Sequence, residues 1–174
     1  MRESDISALI ERNKDTVCKI AYCYMNNIYD VEDIFQTVFK KYIVANPEFQ
    51  NEKHEKAWFA RVTINECKNY NKSSWKSKVV LAESDEAFSN TGKRAEYFSE
   101  ANEAKVKYNE DITDEEIAVI TAIKQLPEKY RVVIHLFYYE EYSVVEIAKI
   151  LKVTKATVKM RLNRARNMIK ERFE

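Results

Sequence analysis

Tyr142 to Arg172 reads YSVVEIAKILKVTKATVKMRLNRARNMIKER, and this stretch decides the fold. Ser143 and Glu146 stand at the S-x-x-E spacing of a capping box, where each side chain satisfies the other residue's backbone N–H at a helix start. Val144, Ile147, Ala148 and Leu151 follow at i, i+3, i+4 and i+7, which gives a short helix one apolar face. Lys152 and Val153 make the turn. Thr154 then stands where a hydroxyl caps a second helix, running to about Phe173. A short helix, a tight turn and a longer basic helix is the layout of a helix-turn-helix, whose second helix enters the major groove of DNA.

That second helix sorts its side chains by angle. Val158, Leu162, Ala165 and Ile169 fall on one stripe and are the candidate core. The opposite side carries Ala156, Lys159, Met160, Asn163 and Asn167. Lys155, Arg166 and Lys170 flank it on one edge, and Thr157 and Arg164 on the other. Small and amide side chains suit close approach to base edges, and cations at the margins suit phosphates. Arg161 falls closer to the buried stripe. From Lys149 to Arg172 there are nine Lys or Arg against one acid, Glu171, while the whole chain carries a formal charge of only +1. The positive charge is therefore concentrated in this segment.

Composition narrows the rest. The 174 residues include one Gly and two Pro, and 45% are apolar. Tight hairpins, phosphate-cradling loops and dinucleotide folds need glycine, so the expected class is all-α, with enough apolar residues for a core. No apolar run approaches the roughly 18 residues that span a bilayer. The first residues, MRESDISALIERNKD, are too charged for a signal peptide, so a cytoplasmic location without membrane insertion is expected. Cys18, Cys23 and Cys67 are odd in number, and with only His54 and His135 they make no metal-ligand spacing. No metal or other cofactor is expected. No carboxylate cluster, His/Cys site or phosphate loop stands at a spacing that supports catalysis, so an enzyme is not expected.

Three blocks follow along the chain. Residues 1–75 show helical periodicity at Ile6, Leu9 and Ile10, then at Val17, Ile20, Ala21 and Tyr24. A break falls near Asn26 and Asn27. Asp30 is positioned to cap a helix with Ile34, Val38 and Tyr42. Pro47 marks a loop over 45–53, and a further helix carries Trp58, Val62, Ile64 and Tyr70. Residues 76–112 hold the single Gly and a polar run, SDEAFSNTGKRAEYFSEANEAK, and read as a flexible linker. Residues 113–174 open with a second capping box, Thr113-x-x-Glu116, before Ile117, Ile120 and Ile123. Pro127 suits the first turn of the next helix, with Tyr130, Val133, Ile134 and Phe137. The expected architecture is two small helical domains joined by a linker, the second ending in the helix-turn-helix.

Three strings carry a family resemblance. LPEKYRVVIHLFYYEEYSVVEIAKILKVTKATVKMRLNRAR resembles the DNA-binding domain of an extracytoplasmic-function sigma factor of bacterial RNA polymerase. DVEDIFQTVF and KAWFARVTINECKNYNK resemble the other domain of that family, in the same order. The resemblance implies an alternative sigma factor that brings core polymerase to specific promoters, in a stress or envelope response. It implies that Asp30, Glu32, Asp33, Gln36 and Phe39 dock on polymerase; Thr37 stands where relatives often carry an acid. It implies that the Trp58 helix captures the opened −10 strand through Lys56, Trp58, Arg61, Asn65, Lys68, Asn69 and Lys72, with Phe49 as a stacking platform in the preceding loop. Pro47, Gln50 and Asn51 would stand near the melted DNA. For the −35 element it implies Lys155, Thr157, Lys159, Met160, Asn163, Arg164 and Arg166. Relatives often carry Ser at the Met160 position and His near Asn163, so the resemblance does not carry the family's base preference over to this chain. Promoter DNA, core polymerase and an anti-sigma factor, often membrane-bound, are the implied partners.

Two other readings fit part of the chain. A stand-alone helix-turn-helix regulator explains the C-terminal block but not the pairing of DVEDIFQTVF with the Trp58 helix. A helical adaptor that binds only protein predicts no loss of function when Lys159 and Arg164 become Ala.

Overall fold

The computed structural model describes residues 3–25, 27–82 and 114–173, with side chains over 5–25, 27–73 and 118–173. The described residues form seven helices and no strand, so the chain is all-α as composition implied. It divides into two units, Met1–Glu110 and Asp111–Glu174. Most of the segment read as a linker, and the Thr113 of the second capping box, lie outside the described residues.

The first unit holds α1 (Glu3–Tyr24), α2 (Ile28–Ala45) and α3 (Glu52–Ala82), each packed on the other two. α3 stays helical past residue 75, over the first seven positions assigned to the linker. α1 contributes Leu9, Val17, Ile20, Ala21 and Tyr24 to the core. α2 contributes Val31, Ile34, Val38, Phe39 and Tyr42, the i, i+3, i+7 stripe expected of an amphipathic helix. α3 adds Phe59, Ala60, Ile64 and Cys67, all sealed from solvent. Burying one such large side chain stabilises the unit by about 1.5–3 kcal/mol.

The start of α2 departs from the sequence reading, while its end falls where the loop was expected. Asn27, not Asp30, is the cap: its Oδ1 accepts the Asp30 N–H at 2.9 Å. Asp30 lies one turn inside, where its carboxylate accepts Asn27 Nδ2–H at 2.8 Å. Asn46 closes the helix at φ 40, in the left-handed region that Asn tolerates better than most residues. Asn51 opens α3 by accepting the His54 N–H on its side chain at 2.9 Å. Glu55, one turn further, is buried and ties α3 to α1: it accepts from Asn13 Nδ2 at 2.6 Å and from the Arg12 guanidinium at 3.3 Å.

The second unit holds α4 (Asp114–Lys124), α5 (Glu128–Tyr138), α6 (Val144–Leu151) and α7 (Lys155–Lys170). α5 is its spine, in contact with α4, α6 and α7. It buries Tyr130, Val132, Val133, Ile134 and Leu136. Pro127 sits just before its first helical residue, as the N-cap, a position that asks for no N–H. Ile147, Ile150 and Leu151 of α6 and Val158, Leu162 and Ala165 of α7 complete the core. Ile169, placed on the same stripe by its spacing, is only half-buried because it lies near the open end of α7.

Candidate nucleic-acid and polymerase interfaces

The helix-turn-helix is built by local chemistry. Ser143 Oγ accepts the Glu146 N–H at 3.3 Å, and the Glu146 carboxylate accepts the Ser143 N–H at 2.9 Å, so the capping box is complete. At the other end of α6, Lys152 takes φ 55 and ψ 49, and its N–H reaches the Ala148 carbonyl. The Val153 N–H bonds the same carbonyl at 3.0 Å, which reverses the chain within two residues. Thr154 then accepts the Thr157 N–H at 3.1 Å and starts α7. Each step uses residues whose roles the sequence declared.

On α7 the buried stripe leaves one broad exposed face. Lys155, Ala156, Lys159, Met160, Asn163, Arg164, Arg166, Asn167 and Lys170 are exposed, and Met160 is 41% open. Thr157 is half-buried, with its hydroxyl 2.9 Å from that of Thr154. Arg161 is half-buried, as its angle implied. Arg164 bonds the hydroxyl of Tyr130, which holds that phenol below its ordinary range. Arg166 donates from Nε to the Tyr138 hydroxyl at 2.9 Å, and its guanidinium stands 5.7 Å from the ring centres of both Phe137 and Tyr138. The sequence reading placed Arg166 on an edge of α7 but did not see these aromatic partners on α5.

In the first unit, Arg61, Asn65, Lys68, Asn69 and Lys72 recur at helical spacing along one side of α3. Asn69 and Lys72 are exposed, while Arg61, Asn65 and Lys68 are half-buried. The Arg61 Nε–H is buried with no protein acceptor. Lys56 is paired with Glu52 at 3.0 Å. Phe49 and Trp58 are half-buried in an aromatic cluster: their ring centres are 6.0 Å apart, and Tyr42 stands 6.2 Å from Phe49 and 5.9 Å from Trp58. Phe49 also meets the His54 ring edge-on at 5.7 Å. Both aromatics therefore anchor the loop before α3 as well as edging the α3 face.

Asp33, Gln36, Thr37 and Lys40 of α2 face Glu66, Asn69, Tyr70 and Ser73 of α3 across a groove of about 450 Å³. Asp33 and Gln36 share this face, as their spacing of three implied. Glu32 is exposed beside them. Two of the five residues assigned to polymerase docking are used otherwise. Phe39 is buried, 4.6 Å from the Phe35 ring centre and 5.2 Å from that of Phe59, and is a core residue. Asp30 is half-buried and accepts the Tyr70 hydroxyl at 2.5 Å in addition to Asn27. That hydrogen bond, with burial behind it, pushes the Tyr70 phenol up to about 12.

Each helical unit thus carries one candidate interface, and the second unit ends in a helix-turn-helix. Residues 9–77 match the Sigma-70 region 2 family, and residues 116–169 match the Sigma-70, region 4 family. The ECF RNA polymerase sigma factor SigW of Bacillus subtilis is 25% identical over 95% of this chain and 87% of its own length. The ECF RNA polymerase sigma-E factor of Haemophilus influenzae is 26% identical over 95% of this chain and 86% of its own. Among solved structures, the sigma factor RpoE of Bartonella quintana, in complex with the anti-sigma factor NepR, shares the fold. Its TM-score is 0.65 at 18% identity, covering 97% of this chain and 94% of that one. CnrH, in complex with the cytosolic domain of CnrY, gives a TM-score of 0.60 at 20% identity, over 99% and 89%. The chain belongs to the extracytoplasmic-function sigma factors, which are transcription regulators that direct RNA polymerase to promoters.

Proposed function

We propose that the two units divide promoter recognition between them, with the part of residues 76–112 that follows α3 as the tether. The second unit lays α7 in the major groove of the −35 element. Ala156, Met160 and Asn163 approach base edges, and Lys155, Thr157, Lys159, Arg164 and Arg166 serve the phosphates. The first unit docks on core polymerase through Glu32, Asp33 and Gln36. It captures the −10 strand on α3 through Arg61, Asn65, Lys68, Asn69 and Lys72, with Lys56, Phe49 and Trp58 at its edge. The observation that carries this reading is the exposed basic and amide face of α7 behind a fully capped turn. Tethering makes each contact raise the local concentration of the other site. The near-neutral total charge suits a chain whose DNA affinity is partly supplied by polymerase.

An anti-sigma factor is the proposed regulator, since the RpoE neighbour was captured with the anti-sigma factor NepR, and the CnrH neighbour likewise with a protein partner, the cytosolic domain of CnrY. The proposed location is the cytoplasm, and no described helix is long and apolar enough to cross a membrane. A role in a stress or envelope response follows from the same resemblance.

The test is promoter binding by polymerase carrying the full chain. Asn163→Ala is expected to relax preference at one base pair of the −35 element, by about 1–3 kcal/mol of discrimination. Lys159→Ala is expected to weaken binding on all sequences alike and to lower the salt slope by about 1. Base preference and salt slope unchanged in both variants would contradict the reading of α7.

A further inference from the structure

Tyr138 closes α5 and is 53% exposed, an unusual state for so large a ring on a helix that is otherwise the spine of its unit. Its exposure is not idle. The hydroxyl accepts the Nε–H of Arg166 at 2.9 Å, across 28 residues of sequence. The guanidinium lies 5.7 Å from the Tyr138 ring centre and 5.7 Å from that of Phe137, and these two rings meet edge-on at 5.0 Å. Arg166 is therefore held by one hydrogen bond and two aromatic faces. A free arginine samples many rotamers, and each must be given up when it grips a phosphate. Here that ordering is already made. The bond to Tyr138 uses the Nε–H and leaves the Nη hydrogens, the pair that suits phosphate oxygens.

We propose that Tyr138 is a positioning residue for duplex binding: it fixes Arg166 from the side, so that the open edge of the guanidinium meets one backbone phosphate. The DNA-contacting surface then extends from α7 to the end of α5, with Phe137 as the backing wall. This rests on the reading of α7 as the duplex-contacting helix. The contact joins α5 to α7, so it exists only after the unit has packed. It gives the preceding helix a part in recognition that its own sequence does not announce.

The experiment measures the salt dependence of promoter binding by core polymerase with the full chain. The probe is a duplex promoter fragment selected from a random library, and the temperature lies well below the melting midpoint of every variant. Arg166→Ala is expected to lower affinity about tenfold and the salt slope by about 1, the signature of one lost phosphate contact. Tyr138→Phe keeps the ring and removes the acceptor. It is expected to lower affinity about threefold, and to have no effect in the Arg166→Ala background, because its whole action passes through Arg166. A Tyr138→Phe loss that persists undiminished in that background would overturn the proposal. So would an Arg166→Ala variant with an unchanged slope while Lys159→Ala lowers it; in that case Arg166 is a packing residue and the α7 reading stands. No change in either Arg166→Ala or Lys159→Ala would overturn the α7 reading and this inference together.

Discussion

Tyr70 shows how much one hydroxyl can report. It reaches from α3 to Asp30 near the start of α2, and the bond exists only while the phenol keeps its proton. The folded phenol loses that proton near 12, and the unfolded one near its ordinary value of about 10. A phenol held up in this way adds stability that is fully present below about pH 10 and is lost as pH rises through about 12. Tyr70→Phe should therefore make the first unit less stable at about pH 8, and the margin between the two proteins should shrink steadily on the alkaline side. Urea denaturation of the full chain across that range, followed by a probe in the first unit, measures it. A margin that stays constant with pH would show that the Asp30 bond does not hold the proton. Residue-scale contacts of this kind were the least legible in the sequence. Tyr70 and Asp30 are forty positions apart, as are Asn13 and Glu55 to within two, and only the packing of α1, α2 and α3 brings them together. The same limit hid the core role of Phe39. Its helix was readable, but the face that meets Phe59 was not.

At the scale of elements, legibility followed the range of the forces. The starts of α6 and α7 and the turn between them were readable to the residue because Ser143, Glu146, Thr154 and the apolar stripes act within one or two turns of themselves; the end of α7, expected near Phe173, falls at Lys170. The start of α2 was misread because Asn27 and Asp30, both good capping residues, stand three apart. The geometry gives the cap to the first and places the second inside as its reciprocal partner. The turn between α6 and α7 carries a further consequence. Lys152 occupies the left-handed region at φ 55, where a β-carbon crowds the following carbonyl. Many turns of this kind use glycine, and this chain has only one, elsewhere. Lys152→Gly should stabilise the second unit by up to about 1 kcal/mol, the relief of strain less the extra freedom of glycine in the unfolded chain. A denaturant midpoint for the second unit that falls, or does not move, would show that the strain is relieved elsewhere in the turn.

At the scale of the molecule, division of labour explains the composition. The chain carries 29 basic and 28 acidic residues, yet its last 24 residues before Phe173 and Glu174 hold nine cations against one acid. A protein that must hold DNA alone spreads positive charge over its surface; one that is carried by polymerase can confine it to a single reading helix. The first unit fits that account, with a polar groove between α2 and α3 where Asp33 and Gln36 face outward and Asn69 lies opposite. The order of the three strings was enough to place both units in one family, and the families matched over 9–77 and 116–169 agree with it. What the strings did not provide was the inward place of Phe39 and Asp30 within the first motif.

Run-off transcription tests the central claim most directly, using purified core polymerase and a promoter library, with and without this chain. The account predicts new transcripts only when the chain is present, all sharing a pair of upstream motifs at fixed separation. Absence of such transcripts together with absence of binding to core polymerase would contradict it, and a stable dimer bound to paired half-sites would replace it with a stand-alone regulator.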